Sequence, residues 1–179
     1  MRRHAHSDHV HSEAGRSAWR FWVLWVVATN CGFFPGLAVG QALAQSLSEP
    51  FASGVVGFSF AVPVGLLQWL VLRRRFAGYA GCAGWGPATS VGWALGGFAG
   101  AAALLRLAPA VAPGGLVWAL MLGFLGGAAV GIGQLPFIRR AHPRMAPWWV
   151  LVSAVAWSVF FPGAVTGFVL ARVPGTRSD

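Results

Sequence analysis

Apolar residues fill this chain in long blocks, not in the stripes that mark a soluble helix. Five stretches, about Phe21 to Ala44, Phe51 to Leu72, Trp85 to Leu105, Gly115 to Ile138 and Pro147 to Ala171, contain no charged residue. Each holds roughly the twenty residues a helix needs to cross about 30 Å of hydrocarbon. The pattern predicts an all-α polytopic membrane bundle of five transmembrane helices over 21–171. Residues 1–20, MRRHAHSDHVHSEAGRSAWR, are too poor in apolar side chains to fold alone and read as a disordered cytoplasmic tail. Residues 172–179 read as a short extracytoplasmic tail.

The blocks are related to one another. The second and fourth align at an offset of 66 residues, Gly57, Ala61, Gly65 and Gln68 against Gly123, Gly127, Gly131 and Gln134. Small residues four apart share one helix face. Helices in lipid pack through close backbone approach, so these positions, together with Gly92, Gly96 and Gly100 of the third block, predict packing seams. The first and fifth blocks align through Phe33-Phe34-Pro35-Gly36 against Phe160-Phe161-Pro162-Gly163, with Trp22 and Trp149 at the same offset. The chain therefore parses as parallel two-helix repeats in a 2+2+1 order, since units with an even number of crossings keep one orientation. On this parsing the fifth helix has no returning partner, and its open side is expected to be covered by another copy or another membrane protein. Pro35, Pro63 and Pro162 lie at mid-depth and are expected to free the carbonyls of Cys31, Ser59 and Ser158.

The best-defined segment is Gly65 to Gly97, in which GLLQWLVLRRR is followed by AGW and then ATSVGWALGG. It resembles the repeat of a group of small bacterial multi-span membrane proteins with G-x-x-Q-W-L-x-L-R, then G-W, then G-W-A-L-G. In the second copy Leu135-Pro136 and Ala156-Trp157-Ser158 depart from that pattern. The resemblance implies a fold and a topology, in a bacterial inner membrane, but no chemistry.

Composition strengthens the membrane reading. Charged residues are 9% of the chain, against roughly 25% in soluble proteins. The formal charge is +9, yet the basic residues sit at block ends, where the positive-inside rule accounts for them better than nucleic acid does. Arg2, Arg3, Arg16, Arg20, Arg73, Arg74, Arg75, Arg139, Arg140 and Arg144 fall on one predicted side; Arg106, Arg172 and Arg177 fall on the other. That bias places the amino terminus in the cytoplasm and the carboxyl terminus outside. Trp22, Trp85, Trp148 and Trp149 at inner helix ends, and Trp118 near an outer one, read as interfacial anchors. A competing reading makes the first block a signal peptide cut near Gln41-Ala42-Leu43-Ala44. Its apolar core exceeds the ~7 to 15 residues of such signals, and the Phe-Phe-Pro-Gly match argues for retention.

Candidate chemistry is sparse. Gln68 and Gln134, each about one turn from an arginine cluster, and Asn30, at the position that offset assigns to Trp93 and Trp157, are the intramembrane polar candidates. Such amides bond a neighbouring helix or face a headgroup or solute. Arg73, Arg74, Arg75, Arg139, Arg140 and Arg144 are candidates for holding anionic lipid headgroups. His4, His6, His9 and His11 form a weak metal-binding pattern in the tail. The two cysteines, Cys31 and Cys82, make neither a disulfide framework nor a metal motif. No Asp, Glu, Lys or His lies within a block, which argues against proton coupling and haem ligation. Nucleophile–base pairs and phosphate loops are missing too, so the expectation is a non-catalytic protein without cofactor. It would act as a self-associating bundle or an accessory subunit, the alternative being an uncoupled channel or permease for a small neutral solute.

Overall fold

The computed structural model describes residues 3–76, 83–159 and 162–172, and every regular element among them is helical. The order is α1 (Arg3–Ala44), α2 (Phe51–Arg75), α3 (Trp85–Leu107), α4 (Leu116–Ala141), α5 (Ala146–Ser158) and α6 (Pro162–Ala171). Four helices are long and apolar enough to cross a membrane: α1 from Ser17 onward, α2, α3 and α4. Helix ends follow local chemistry. The arginines closing α2 and α4 sit where the helix dipole favours cations, and the N–H groups of Phe76 and His142 bond back to Leu72 and Ile138. Upstream of its apolar part, the backbone of α1 is helical through 3–16, the stretch read from sequence as a disordered tail. The side chains there, those of His4, His6, His9 and His11 included, lie outside the described residues.

Consecutive helices pack in order, and α6 packs on α1, so the six close into a ring of three hairpins. Glycine makes the close approaches possible. A Cβ on Gly32 would stand 2.6 Å from the backbone nitrogen of Val64, and one on Gly92 would stand 2.8 Å from the Cα of Val130. These seams join the two arms of the first and second hairpins. Between hairpins, a Cβ on Gly57 would meet the carbonyl oxygen of Trp93 at 2.6 Å, and one on Gly123 that of Trp157 at 2.7 Å. Ala61 is completely buried in the first of these faces; Gly65, Gly127 and Gly131 face Gly86, Ser153 and Val150.

The fifth block does not make the single crossing expected of it. Its described residues form two helices, α5 and α6, of 13 and 10 residues, about 20 and 15 Å long at 1.5 Å per residue. Placed end to end these would span a membrane, but α6 turns back. Gly163 faces Val26 and Thr29, Gly167 faces Trp25, and the carbonyl oxygen of Ala171 accepts a 3.0 Å hydrogen bond from Arg75 Nη2. As numbering rises along α6, its neighbours on α1 fall, so the two helices are antiparallel. The third hairpin is thus complete in its two arms but reaches only part of the height of the others.

Three expectations change as a result. The described chain leaves at the arginine end, where α1 entered its apolar part, not at the opposite end. Arg172 follows Ala171 at that end, which leaves Arg106 as the arginine of the far end among the described residues. The side of the fifth block thought to be open is covered by α1. The shared Phe-Phe-Pro-Gly motif misleads for a physical reason: Pro35 is accommodated inside continuous α1, whereas Pro162 starts α6, where a missing N–H leaves no bond unmade.

Candidate functional site

Near the arginine end, the polar side chains of the bundle assemble into a recurring bridge. Trp85 Nε1 donates to Gln68 Oε1 at 3.1 Å, Gln68 Nε2 donates to Thr29 Oγ1 at 3.0 Å, and Thr29 Oγ1 donates to the carbonyl of Trp25 at 2.8 Å. The same chain recurs one hairpin on. Trp149 Nε1 reaches Gln134 Oε1 at 3.0 Å, Gln134 Nε2 reaches Thr89 Oγ1 at 2.9 Å, and Thr89 Oγ1 reaches the carbonyl of Trp85 at 2.8 Å. Each glutamine, on a returning helix, therefore ties together the two entering helices beside it. Such bonds contribute about 0.6 to 2 kcal/mol in a membrane bundle.

The third position differs. Trp25 Nε1 donates to Thr166 Oγ1 at 3.0 Å, so threonine stands where the other hairpins have glutamine. Gly65, Gly131 and Gly163 precede Gln68, Gln134 and Thr166 by three residues, and Leu72, Ile138 and Leu170 follow by four, all three buried in one cluster. Ser153, at the position of Thr29 and Thr89, is buried and its Oγ has no hydrogen-bond partner.

Aromatic rings close the axis in two layers. In the first, Trp85 packs edge-on against Trp25 and Trp149, centroids 5.9 Å apart in both pairs. In the second, Trp93 lies 4.7 Å from Phe60 and 4.8 Å from Trp157, with Phe33 5.0 Å from Phe60. Each such pair adds about 0.5 to 1.5 kcal/mol beyond its buried area. Phe33, not Asn30, is thus the first-hairpin counterpart of Trp93 and Trp157, three residues from the register suggested by Trp22 and Trp149. The anchor reading of tryptophan needs the same revision: Trp85, Trp118 and Trp149 are core residues, while Trp148 is exposed.

Above the second aromatic layer, towards the far end, lies a cavity of about 550 Å³. Its walls come from α1 to α4, its floor from Phe33, Phe60, Trp93 and Trp157, and its mouth from Gln41, Gln45 and Glu49. It exists because α5 and α6 stop short. Asn30 lines it near the floor, its Nδ2 donating 2.8 Å to the carbonyl of Val26. Gln68 and Gln134 are buried and do not line the cavity; its polar lining beside Asn30 is Thr29, the residue that accepts from Gln68, so the three amides do not share one surface.

At the arginine end, Arg73, Arg74, Arg139, Arg140 and Arg144 are exposed. Arg75 is different: it lies over the Phe21 ring at 4.6 Å and bonds α6, so it fastens hairpins together. In the loop before α5, burial pushes the His142 imidazole below its ordinary pKa, beside the ring of Phe76. No group of three or more potential metal ligands occurs among the described residues. Cys31 is an exposed free thiol; Cys82 lies outside the described residues.

Sequence reasoning found the two glutamines and missed their partners. Thr29, Thr89 and Ser153 each follow a tryptophan by four residues, a spacing that places both on one helix face and was available to be read. No family model, no curated protein and no solved structure matches the chain.

Proposed function

We propose that this chain is a non-catalytic integral membrane protein of the bacterial inner membrane that serves as a self-associating bundle or as an accessory subunit of a larger membrane complex. One observation carries the reading: Gln68, Gln134, Thr29 and Thr89, four of the buried polar side chains at the bundle centre, are engaged in bonding its own helices. A protein that turns its polar interior to cohesion acts through its surface. Three duplicated hairpins, kin to the small bacterial multi-span proteins that Gly65 to Gly97 resembles, are its plan. The amino terminus is cytoplasmic by the arginine bias, and α6 ends on that same side. The exposed arginines Arg73, Arg74, Arg139, Arg140 and Arg144 hold anionic headgroups there, each contributing about 1 kcal/mol near the surface. Gentle extraction from native membranes, followed by mass measurement of the intact particle, tests the proposal. A defined oligomer or a stoichiometric partner is the expected result; a lone monomer that moves a solute in vesicles would overturn it.

A second reading, an uncoupled permease for a small neutral solute, draws on the cavity and on Asn30 beside it. Transport would require both aromatic layers to open. Solute flux through vesicles carrying the purified chain, lost on Asn30→Leu, would favour this reading over the first.

A further inference from the structure

The cavity of the far half has a depth, a lining and an opening that together specify an occupant, and we infer that it receives one acyl chain of a lipid from the far-side leaflet, with the headgroup at Gln41, Gln45 and Glu49. Depth comes first. Along α1 the lining starts at Thr29 and Asn30, and the part above the aromatic layer, from Phe33 to Ala44, rises 11 residues, about 16 Å at 1.5 Å per residue. One leaflet of a bilayer with a ~30 Å hydrocarbon core is about 15 Å deep. A chain entering from that leaflet therefore ends on the rings of Phe60, Trp93 and Trp157, and its head arrives at the polar mouth.

The opening agrees with lateral entry. At the arginine end α1 is covered by α6, but α6 begins beside Val26 and Thr29, so the same face of α1 further along borders the cavity. Between α1 and α4 no helix of the described residues stands at that height. The volume, about 550 Å³, falls within the ~300 to 1,000 Å³ of small-molecule sites.

The lining also disfavours a protein helix as the occupant. Helices dock in lipid on small residues, and three of the glycines bordering this space are already in use. Gly57 and Gly123 abut the carbonyls of Trp93 and Trp157, and Gly97 abuts that of Ser53. Rings and branched side chains, Phe33, Leu37, Val56 and Leu122, alternate with the small Ala52 and Ala119, an uneven wall that suits a flexible chain better than a rigid backbone.

Native mass spectrometry of the full chain, released from vesicles of equal parts phosphatidylethanolamine and phosphatidylglycerol, tests the inference. Retention of a single lipid per bundle is the expected result. Ala119→Phe, which fills the cavity from α4, should lower the retained fraction about tenfold, since excluding two methylenes at ~0.8 kcal/mol each amounts to roughly that ratio. Ala52→Phe fills the same space from α2 and guards against a folding defect peculiar to α4. Met121→Phe, on α4 but outside the lining, should retain lipid as the parent does. Equal retention by all four proteins, or none by the parent, would overturn the inference. So would an Ala119→Cys variant that cross-links in native membranes to a polypeptide, whether a second copy or a partner. Because oligomer mass is read in the same spectra, failure here is distinguishable from failure of the association proposal.

Discussion

The first two hairpins and the third share a plan and differ in how far it is carried out. In α1/α2 and α3/α4 the arms run the full height, glycine seams hold the arms together, and a glutamine bridges to the next entering helix. In α5/α6 the arms are short, threonine replaces glutamine, and a buried hydroxyl is left without a partner. The layers at the arginine end are nevertheless three-sided, because Trp149, Gly163 and Leu170 occupy the places that the other hairpins fill. The comparison separates two tasks. Closing the ring requires only the half of a hairpin that carries the tryptophan layer, and omitting the other half creates the cavity.

The largest effect that tests this comparison is an all-or-none one. In a background with both cysteines replaced by serine, Arg172→Cys and Arg74→Cys should react with an impermeant thiol reagent from the same side of sealed vesicles, and Arg106→Cys from the other. If the Arg172 site reacts with the Arg106 side, the third hairpin does not return and the equivalence of the three units is wrong.

Next in size are the seams. A Cβ at Gly57 or Gly123 meets backbone of the neighbouring hairpin, which no rotamer change relieves. Gly57→Leu and Gly123→Leu are each expected to cost about 3 kcal/mol, the upper range for overpacked cores, in reversible unfolding from mixed micelles. Gly163→Leu meets first the Cβ of Thr29, at 3.0 Å, and belongs to a ten-residue helix that shifts more easily, so about 1 kcal/mol is expected. Equal losses at all three sites would remove the distinction between the full hairpins and the short one.

The bridges come third. Gln68→Leu or Gln134→Leu leaves a buried indole N–H without its acceptor, while the threonine hydroxyl loses the amide donor but keeps its bond to the backbone, at a cost of about 1 to 3 kcal/mol for each variant. A double-mutant cycle of Gln68→Leu with Trp85→Phe isolates the bond itself. If the coupling is absent, the recurring chain of hydrogen bonds contributes nothing to cohesion.

Much of this architecture is periodic, and the periodic part is what could be read from the chain alone. The apolar blocks, the 66-residue offset and the glycine stripes are patterns of spacing, and the stripes fall on the faces that spacing implies. The return of the fifth block was hidden because its roughly 25 residues are what one crossing needs, so length favoured the wrong topology. Its signal was local: Gly163 and Thr166 repeat the interval of Gly65 and Gln68, with one side chain changed. Matching Phe-Phe-Pro-Gly by identity obscured that, since one proline lies within a helix and the other begins one. The cavity could not be inferred at all, because it follows from where two helices stop.

The smallest predicted effect is also the one most specific to the comparison. If Thr166 occupies the glutamine position, Thr166→Gln should extend the side chain from Trp25 towards Ser153 and pair the hydroxyl that now has no partner. The sign is then opposite to that of most core substitutions: a gain of about 0.6 to 1.7 kcal/mol, the range of interhelical bonds in bilayers, measured as a shift in unfolding midpoint. Ser153→Ala separates the new bond from mere filling of space, because it should abolish the gain in Thr166→Gln while slightly stabilising the parent, whose serine is buried unpaired. A Thr166→Gln variant that loses stability whether residue 153 is serine or alanine would mean that the third unit has its own packing solution. The likeness of the three hairpins would then stop at the backbone.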